Sequence, residues 1–165
     1  MIDFLKIKLL VFDFDGVLTN NQVFLNEDGK EMVSCSRSDG LAFDVLNKVN
    51  VRSIILSTET NHVVSNRAKK LKIECIHGVS NKKIALKNLI NNSGISWDHV
   101  MYVGNDINDY HAMSNCKYKV CPRDSHKEIK SIADLILQSN GGDGVVREIV
   151  ERVFKINMLN ILYKE

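Results

Sequence analysis

The chain has 165 residues, 44% of them hydrophobic and 25% charged, with a formal net charge of +2. That length suits one domain with a genuine core, and so small a charge gives no footing to nucleic acid or an anionic membrane surface. No apolar run reaches the length of a bilayer span, and MIDFLKIKLL has mixed charges and no small-residue cleavage site, so the expectation is a cytoplasmic protein with neither nucleic-acid nor membrane partners.

Along the chain, IKLLVFDF (7–14) is the first candidate strand, and it runs straight into Asp13-Phe14-Asp15-Gly16. Next, NNQVFLNEDGKEMVSCS (20–36) holds two strand-like runs around Asn26-Glu27-Asp28-Gly29, and the Asp-Gly pair marks a hairpin turn. A helix over 41–49 leads to a strand over 51–57, which ends in Ser57-Thr58-Glu59. Helix 61–71 leads to strand 72–77, after which Asn81-Lys82-Lys83 opens helix 81–93. Strand 100–104 ends in Gly104-Asn105-Asp106, with Asn108 and Asp109 beyond and a helix over 108–115. Strand 118–121, helix 126–131, strand 133–137 and helix 144–155 follow, and the tail, about 156–165, is apolar enough to dock.

These strands are short, rich in β-branched residues and mostly free of strict alternation, as strands buried on both faces are. Their alternation with helices predicts an α/β fold: a Rossmann-like three-layer parallel sheet, helices on both faces, with a hairpin flap after the first strand. There is no internal repeat and no proline-rich linker (Pro122 is the only proline), so residues 1–165 read as one domain. Cys35, Cys75, Cys116 and Cys121 form no C-x-x-C pair, and the five histidines are scattered. Reduced thiols are expected, not a zinc site.

Open α/β sheets bind ligands at the carboxyl ends of their strands. That rule sends Asp13, Asp15, Ser57, Lys82, Asn105, Asp106 and Asp109 to one edge. Close carboxylates tolerate each other around a hard divalent cation such as Mg²⁺, which prefers oxygen ligands. A carboxylate can also serve as a nucleophile and carry a phosphoryl group. The transferring group needs donors on its oxygens, and a second aspartate can move the proton. Other readings stand beside these. Ser57 suits a helix cap, Lys83 competes with Lys82, Asp106 and Asp109 suit a loop and an N-cap, and Glu59 with Arg67 suits a solvated ion pair.

DFDGVLTN (13–20) resembles the D-x-D-G-[VT]-x-[TS] signature of haloacid dehalogenase-like (HAD) phosphatases. Ser57, Lys82 and GNDIND (104–109) resemble that superfamily's remaining three motifs, in order. SRSDGLAF (36–43), RAKKLKI (67–73), HGVSNKKIAL (77–86) and GGDGVVREIV (141–150) are similar to the branch without a cap domain. That branch comprises the 3-deoxy-D-manno-octulosonate 8-phosphate phosphatases and the 9-phosphate phosphatases of nine-carbon, sialic-acid-like sugars.

The resemblance implies an Mg²⁺-dependent homotetramer acting on a sugar-acid phosphate, with hairpin and tail of neighbouring subunits helping to close the site. It makes Asp13 the nucleophile and a metal ligand, and Asp15 the general acid/base and a ligand through its carbonyl. Ser57 and Lys82 would hold phosphoryl oxygens, with Gly16 and Thr58 beside the substrate. Relatives often read G-D-D where this chain has Gly104-Asn105-Asp106. An amide there removes one negative charge, which implies weaker metal affinity or compensation by Asp106 or Asp109. Glu59 and Arg67 resemble the nine-carbon branch, Arg67 being suited to a sugar carboxylate. The alternative is a catalytically weak HAD-like assembly domain associated with sialic-acid-type nucleotide-sugar synthesis.

Overall fold

The structure is a computed structural model and describes residues 2–163. Its axis is β1 (Leu9–Phe12), four side chains with no solvent exposure. It pairs in parallel with β4 (Arg52–Leu56) on one side and β6 (Val100–Val103) on the other. Outward from β4 lies β5 (Glu74–Ile76); outward from β6 lie β7 (Tyr118–Cys121) and β8 (Leu135–Ile136). The chain steps from β1 to β4 and β5, then crosses back to β6, so the connections diverge beside β1 and leave a crevice above it.

Two-residue periodicity divides each strand between two cores. Leu10, Phe12, Ile55, Met101 and Val103 face one layer, built by α1 (Ser38–Lys48), α2 (Val63–Leu71), α6 (Val145–Glu148), the π-helical turn Ile149–Val153 and α7 (Met158–Tyr163). Leu9, Val11, Ile54, Leu56 and Tyr102 face the other, built by α3 (Lys82–Ser93), α4 (Tyr110–Met113) and α5 (Lys127–Ile132). With both faces covered, the strands read as continuous apolar runs.

Several elements are shorter than expected. The first strand's ladder ends at Phe12, because the Phe14 carbonyl turns to accept N–H groups from Val17, Leu18 and Thr19 at 3.3, 2.9 and 3.1 Å. The helix expected over 108–115 is a 3-10 turn (Ile107–Asp109) followed by α4, and that over 144–155 is α6 running into the π turn. α1 begins three residues early, at Ser38. The four cysteines are free thiols. No helix among the described residues is long and apolar enough to cross a membrane.

The hairpin stands off the sheet as β2 (Thr19–Leu25) and β3 (Glu31–Cys35). Asn26 closes its turn, accepting the Lys30 N–H on its side chain at 2.8 Å and the Gly29 N–H on its carbonyl at 3.0 Å. Its two faces leave Val23, Phe24, Leu25 and Met32 more than half exposed. The tail docks as expected over its described part. Met158 is buried, Ile161 and Leu162 pack on the core, and Lys48 Nζ reaches the Leu162 carbonyl at 3.3 Å. Residues 164 and 165 lie outside the described residues.

Asp39 ties α1 to α6. Its Oδ1 accepts the Val146 and Arg147 N–H groups at 3.0 and 3.1 Å, while Oδ2 is buried without a partner. Burial raises this carboxyl from 3.8 to about 6, against the pull of the two amides and the Arg67 charge. The folded state therefore keeps the proton to higher pH than the unfolded chain, and stability declines as pH rises from about 4 to about 6. Asp39→Asn keeps the Oδ1 acceptor and removes the charge. Its stability relative to wild type should rise across that window, by up to about 3 kcal/mol, in urea denaturation at stepped pH. Parallel curves for the two proteins would assign the titration to another group.

Candidate active site

Each strand end delivers one piece of the site. The Asp13 N–H still donates to the Val103 carbonyl at 2.9 Å, which pins the residue to the sheet edge just beyond β1. Its Oδ1 accepts the Phe14 N–H at 2.7 Å and pairs with Lys82 Nζ at 2.6 Å. Lys82 is the first residue of α3, whose N-cap Asn81 accepts the Ile84 N–H at 3.1 Å. Its ammonium also pairs with Asp109 Oδ1 at 2.7 Å, and all three side chains are at most 5% exposed. Lys83 is exposed, so of the two lysines Lys82 is the one that the structure brings to Asp13.

Asp109 is saturated by protein donors. Oδ1 also accepts the Tyr102 hydroxyl at 2.8 Å, and Oδ2 accepts the Asn105 N–H at 2.9 Å. It lies beneath the cleft, which puts it with Lys82 and not among cleft-facing metal ligands. Tyr102, a fully buried residue of β6, is a site residue that sequence reasoning missed, because a tyrosine inside VMYV reads only as core.

Burial pushes the Asp13 carboxyl well above the usual range. The Asp109 charge adds to the rise, and Lys82 opposes it. Burial lowers the Lys82 ammonium, but Asp13 and Asp109 more than reverse this and hold it cationic. Two buried carboxylates thus share one buried cation and leave surplus negative charge.

A cleft of about 300 Å³ opens above, lined by Asp13, Asp15, Ser57 and Asn105, with Asn21, Thr58, Asp106 and Asn108 at its rim. A larger groove, about 830 Å³, runs beyond β8, but none of these strand-end groups reaches it. Ser57 Oγ accepts the Glu59 N–H at 3.1 Å within the turn after β4, so its own proton is free to donate; it does not cap α2, whose N-cap is His62. Asp15, half-buried, accepts a bond from the Thr19 hydroxyl at 3.3 Å. Its carboxyl is raised, first by burial and then by the Glu59 and Glu31 charges, although Thr19 counters. Thr19, fully buried, was also missed as a site residue, although it closes DFDGVLT.

Gly16 adopts φ +78°, and a Cβ there would fall 1.9 Å from Asn105 Nδ2. Its N–H is spent on Thr19 Oγ1 at 3.2 Å, so Gly16 shapes the turn and admits Asn105 instead of presenting its amide to the cleft. Asn105 Oδ1 is buried with no hydrogen-bond partner. Among the described residues no three His, Cys, Asp or Glu side chains form a metal cluster. The orphaned amide oxygen, the surplus charge and the oxygen-only donors at the cleft nonetheless suit a hard divalent cation. Asp106, exposed, caps the 3-10 turn with a 2.7 Å bond from the Ile107 N–H.

Two expected partners are not brought together. Glu59 accepts the Asn61 N–H at 2.7 Å, and Arg67, on α2, donates to the Ser36 carbonyl at 2.7 Å. Among the described residues no ion pair joins them, and neither lines the cleft. The turn before α2 draws Glu59 inward while the helix aims Arg67 at the foot of the hairpin.

Comparison with known proteins fits this geometry. The haloacid dehalogenase-like hydrolase family matches residues 44–149. The 3-deoxy-D-manno-octulosonate 8-phosphate phosphatases of Salmonella typhi and Escherichia coli K12 are each 30% identical over 147 residues, 88% of this chain and 78% of theirs. The chain therefore belongs to the haloacid dehalogenase-like hydrolases, and within them it is a phosphoric monoester hydrolase. A HAD family hydrolase from Streptomyces avermitilis superposes with TM-score 0.89 at 39% identity, covering 92% of this chain and 87% of that one. The Moraxella catarrhalis 3-deoxy-D-manno-octulosonate 8-phosphate phosphatase, in complex with magnesium, phosphate and KDO, does so with TM-score 0.87 at 30% identity, covering 92% and 90%. The cobalt-bound Haemophilus influenzae octulosonate 8-phosphate phosphatase gives 0.84 at 26%, covering 96% and 91%.

Replacing Lys82 by Met should destabilise the fold by about 3–5 kcal/mol near neutral or alkaline pH, since it strands two buried carboxylates. Because burial favours the neutral form of Asp13, which can then take up a proton, the loss should shrink at about pH 5. Denaturant titration in the presence of a chelator reads this directly. An equal loss at both pH values would show that the ammonium's charge is not what matters.

Proposed function

We propose that the protein is an Mg²⁺-dependent phosphatase that hydrolyses the phosphate monoester of a 3-deoxy-2-keto sugar acid, octulosonate 8-phosphate or a nonulosonate 9-phosphate, through an aspartyl-phosphate on Asp13. One observation carries this reading. Both hydrogen bonds to Asp13 fall on Oδ1, from Phe14 and Lys82, leaving Oδ2 of a strand-end carboxylate for attack in the cleft.

In the first half-reaction Asp13 Oδ2 bonds to phosphorus, the phosphorus–oxygen bond to the sugar breaks, and Asp15 gives its proton to the leaving oxygen. The raised Asp15 carboxyl suits it to hold that proton. In the second, water attacks phosphorus, Asp15 takes its proton, and the acyl-phosphate bond to Asp13 breaks. Ser57 Oγ–H supplies a donor to phosphoryl oxygens, and the Lys82 ammonium, held beneath the cleft by Asp13 and Asp109, adds its positive charge there. Asp13, the Asp15 carbonyl and Asn105 would hold Mg²⁺, with Asp106 the nearest additional carboxylate; when bound, the ion offsets the phosphoryl charge. Asp109 and Tyr102 keep Lys82 in place.

The substrate class draws on the octulosonate 8-phosphate phosphatases, which the chain resembles over most of its length. The cleft supports it: without a cap it is shallow and rimmed by hydroxyl and amide groups, which fits a large hydroxylated leaving group. Phosphate release from octulosonate 8-phosphate, nonulosonate 9-phosphates and an aryl phosphate, with and without Mg²⁺, is the direct test. The sugar-acid phosphates should be preferred, a chelator should stop turnover, and Asp13→Asn should reduce it to background with an unchanged melting profile. Failure to hydrolyse any sugar-acid phosphate would remove the substrate assignment.

The same reading includes a homotetramer. Val23, Phe24, Leu25 and Met32 on one hairpin, with Leu159 and Tyr163 on the tail, are each more than half exposed, an apolar surface that a second subunit would cover. Sedimentation at micromolar concentration should show a species of four chains; a monomer would overturn this assembly.

A further inference from the structure

Among the described residues four that are not glycine hold a left-handed backbone: Asn21, Asn50, Lys72 and Lys155. Three of them finish helical segments. Lys72 caps α2, and Asn50 and Lys155 follow the caps of α1 and the π turn. Helices routinely end this way. Asn21 ends nothing. It lies inside β2 with φ +62°, where the hairpin register slips between Thr19 and Val23. A bulge of this kind re-aims the strand and its side chain, and bulges recur beside active sites.

The backbone around it is fixed on two sides. The Asn21 N–H donates to Thr19 Oγ1 at 3.2 Å, the same hydroxyl that donates to Asp15 at 3.3 Å. Behind it, Gly142 presses so close that a Cβ there would lie 2.7 Å from the Asn20 nitrogen, and its N–H donates to the Val17 carbonyl at 3.0 Å. So held, Asn21 lines the cleft together with Asp13, Asp15 and Ser57. Among the described residues no protein hydrogen bond engages its carboxamide.

We infer that Asn21 is a specificity-determining residue whose carboxamide hydrogen-bonds a hydroxyl of the sugar leaving group. A carboxamide offers donor and acceptor without charge, so it can read a hydroxyl in either sense and does not repel an anionic substrate. Asparagine is also one of the few side chains that accept the left-handed backbone. The tether through Thr19 places this contact beside the carboxyl that protonates the same leaving group. The hairpin thus contributes to its own subunit's substrate choice, apart from any role in assembly. This inference rests on the proposed function.

Asn21→Gly tests it, because glycine keeps the left-handed backbone without strain. Wild type and variant are compared on the preferred sugar-acid phosphate and on an aryl phosphate that lacks hydroxyls. The variant should melt no lower than wild type. Its kcat/KM for the sugar-acid phosphate should fall roughly fivefold further than for the aryl phosphate, mainly through KM, as loss of one hydrogen bond implies. Equal effects on both substrates, or none, would overturn the inference and leave the proposed function standing. A wild-type enzyme that shows no preference for the sugar-acid phosphate would instead overturn the proposed function, and this inference with it.

Discussion

Lys82 faces Asp13 and Asp109 in a place where none of the three side chains is more than 5% exposed. Two carboxylates and one ammonium taken out of water are tolerable only when every lone pair and proton finds a partner. The surrounding structure supplies most of them: the Phe14 and Asn105 amides and the Tyr102 hydroxyl. One position on this triangle is left incomplete. Among the described residues Asp13 Oδ2 has no protein donor, and Asn105 Oδ1, in the same cleft, has no hydrogen-bond partner. A protein selected only for stability would close such a gap. In the proposed mechanism it is the site of attack, and its oxygen donors suit a hard cation.

The loops above the sheet are held by close backbone approach more than by side-chain bulk. Asn105 occupies the space a side chain on residue 16 would need, and a Cβ at Gly141 would lie 2.2 Å from the Gly16 carbonyl oxygen. Gly141 is itself fixed by a 2.9 Å bond from its N–H to Asp124. Glu148 accepts the Gln138 and Ser139 N–H groups and the Ser139 hydroxyl, which binds α6 to the end of β8. Loops from four strand ends thus brace one another and hold the groups that line the cleft, as electrostatic preorganisation requires.

Much of this was legible in the chain itself. The strand ends at Asp13, Ser57 and Asn105 follow from apolar runs that stop abruptly, and Lys82 from a helix opened by asparagine. What escaped had no local signature. Tyr102 differs from any core tyrosine only by what stands opposite its hydroxyl. Asn21 looks like one more polar hairpin residue until its φ is known. Glu59 and Arg67, eight residues apart, looked like a pair, but a turn and a helix send them to different partners. Asp109 had the right chemistry for a ligand, yet its oxygens were already taken by neighbours distant in sequence.

By itself, then, the sequence determined the layering, the strand ends and the reaction type, because buried strands and DFDGVLTN write their constraints into adjacent residues. Periodicity and turn chemistry act over a few positions and survive in a linear text. The tertiary structure decided which charges pair, which glycines admit a neighbour and which amides line the cleft. Those outcomes depend on groups meeting across strands from residues 13, 82, 102 and 109, where burial turns separate side chains into one electrostatic unit.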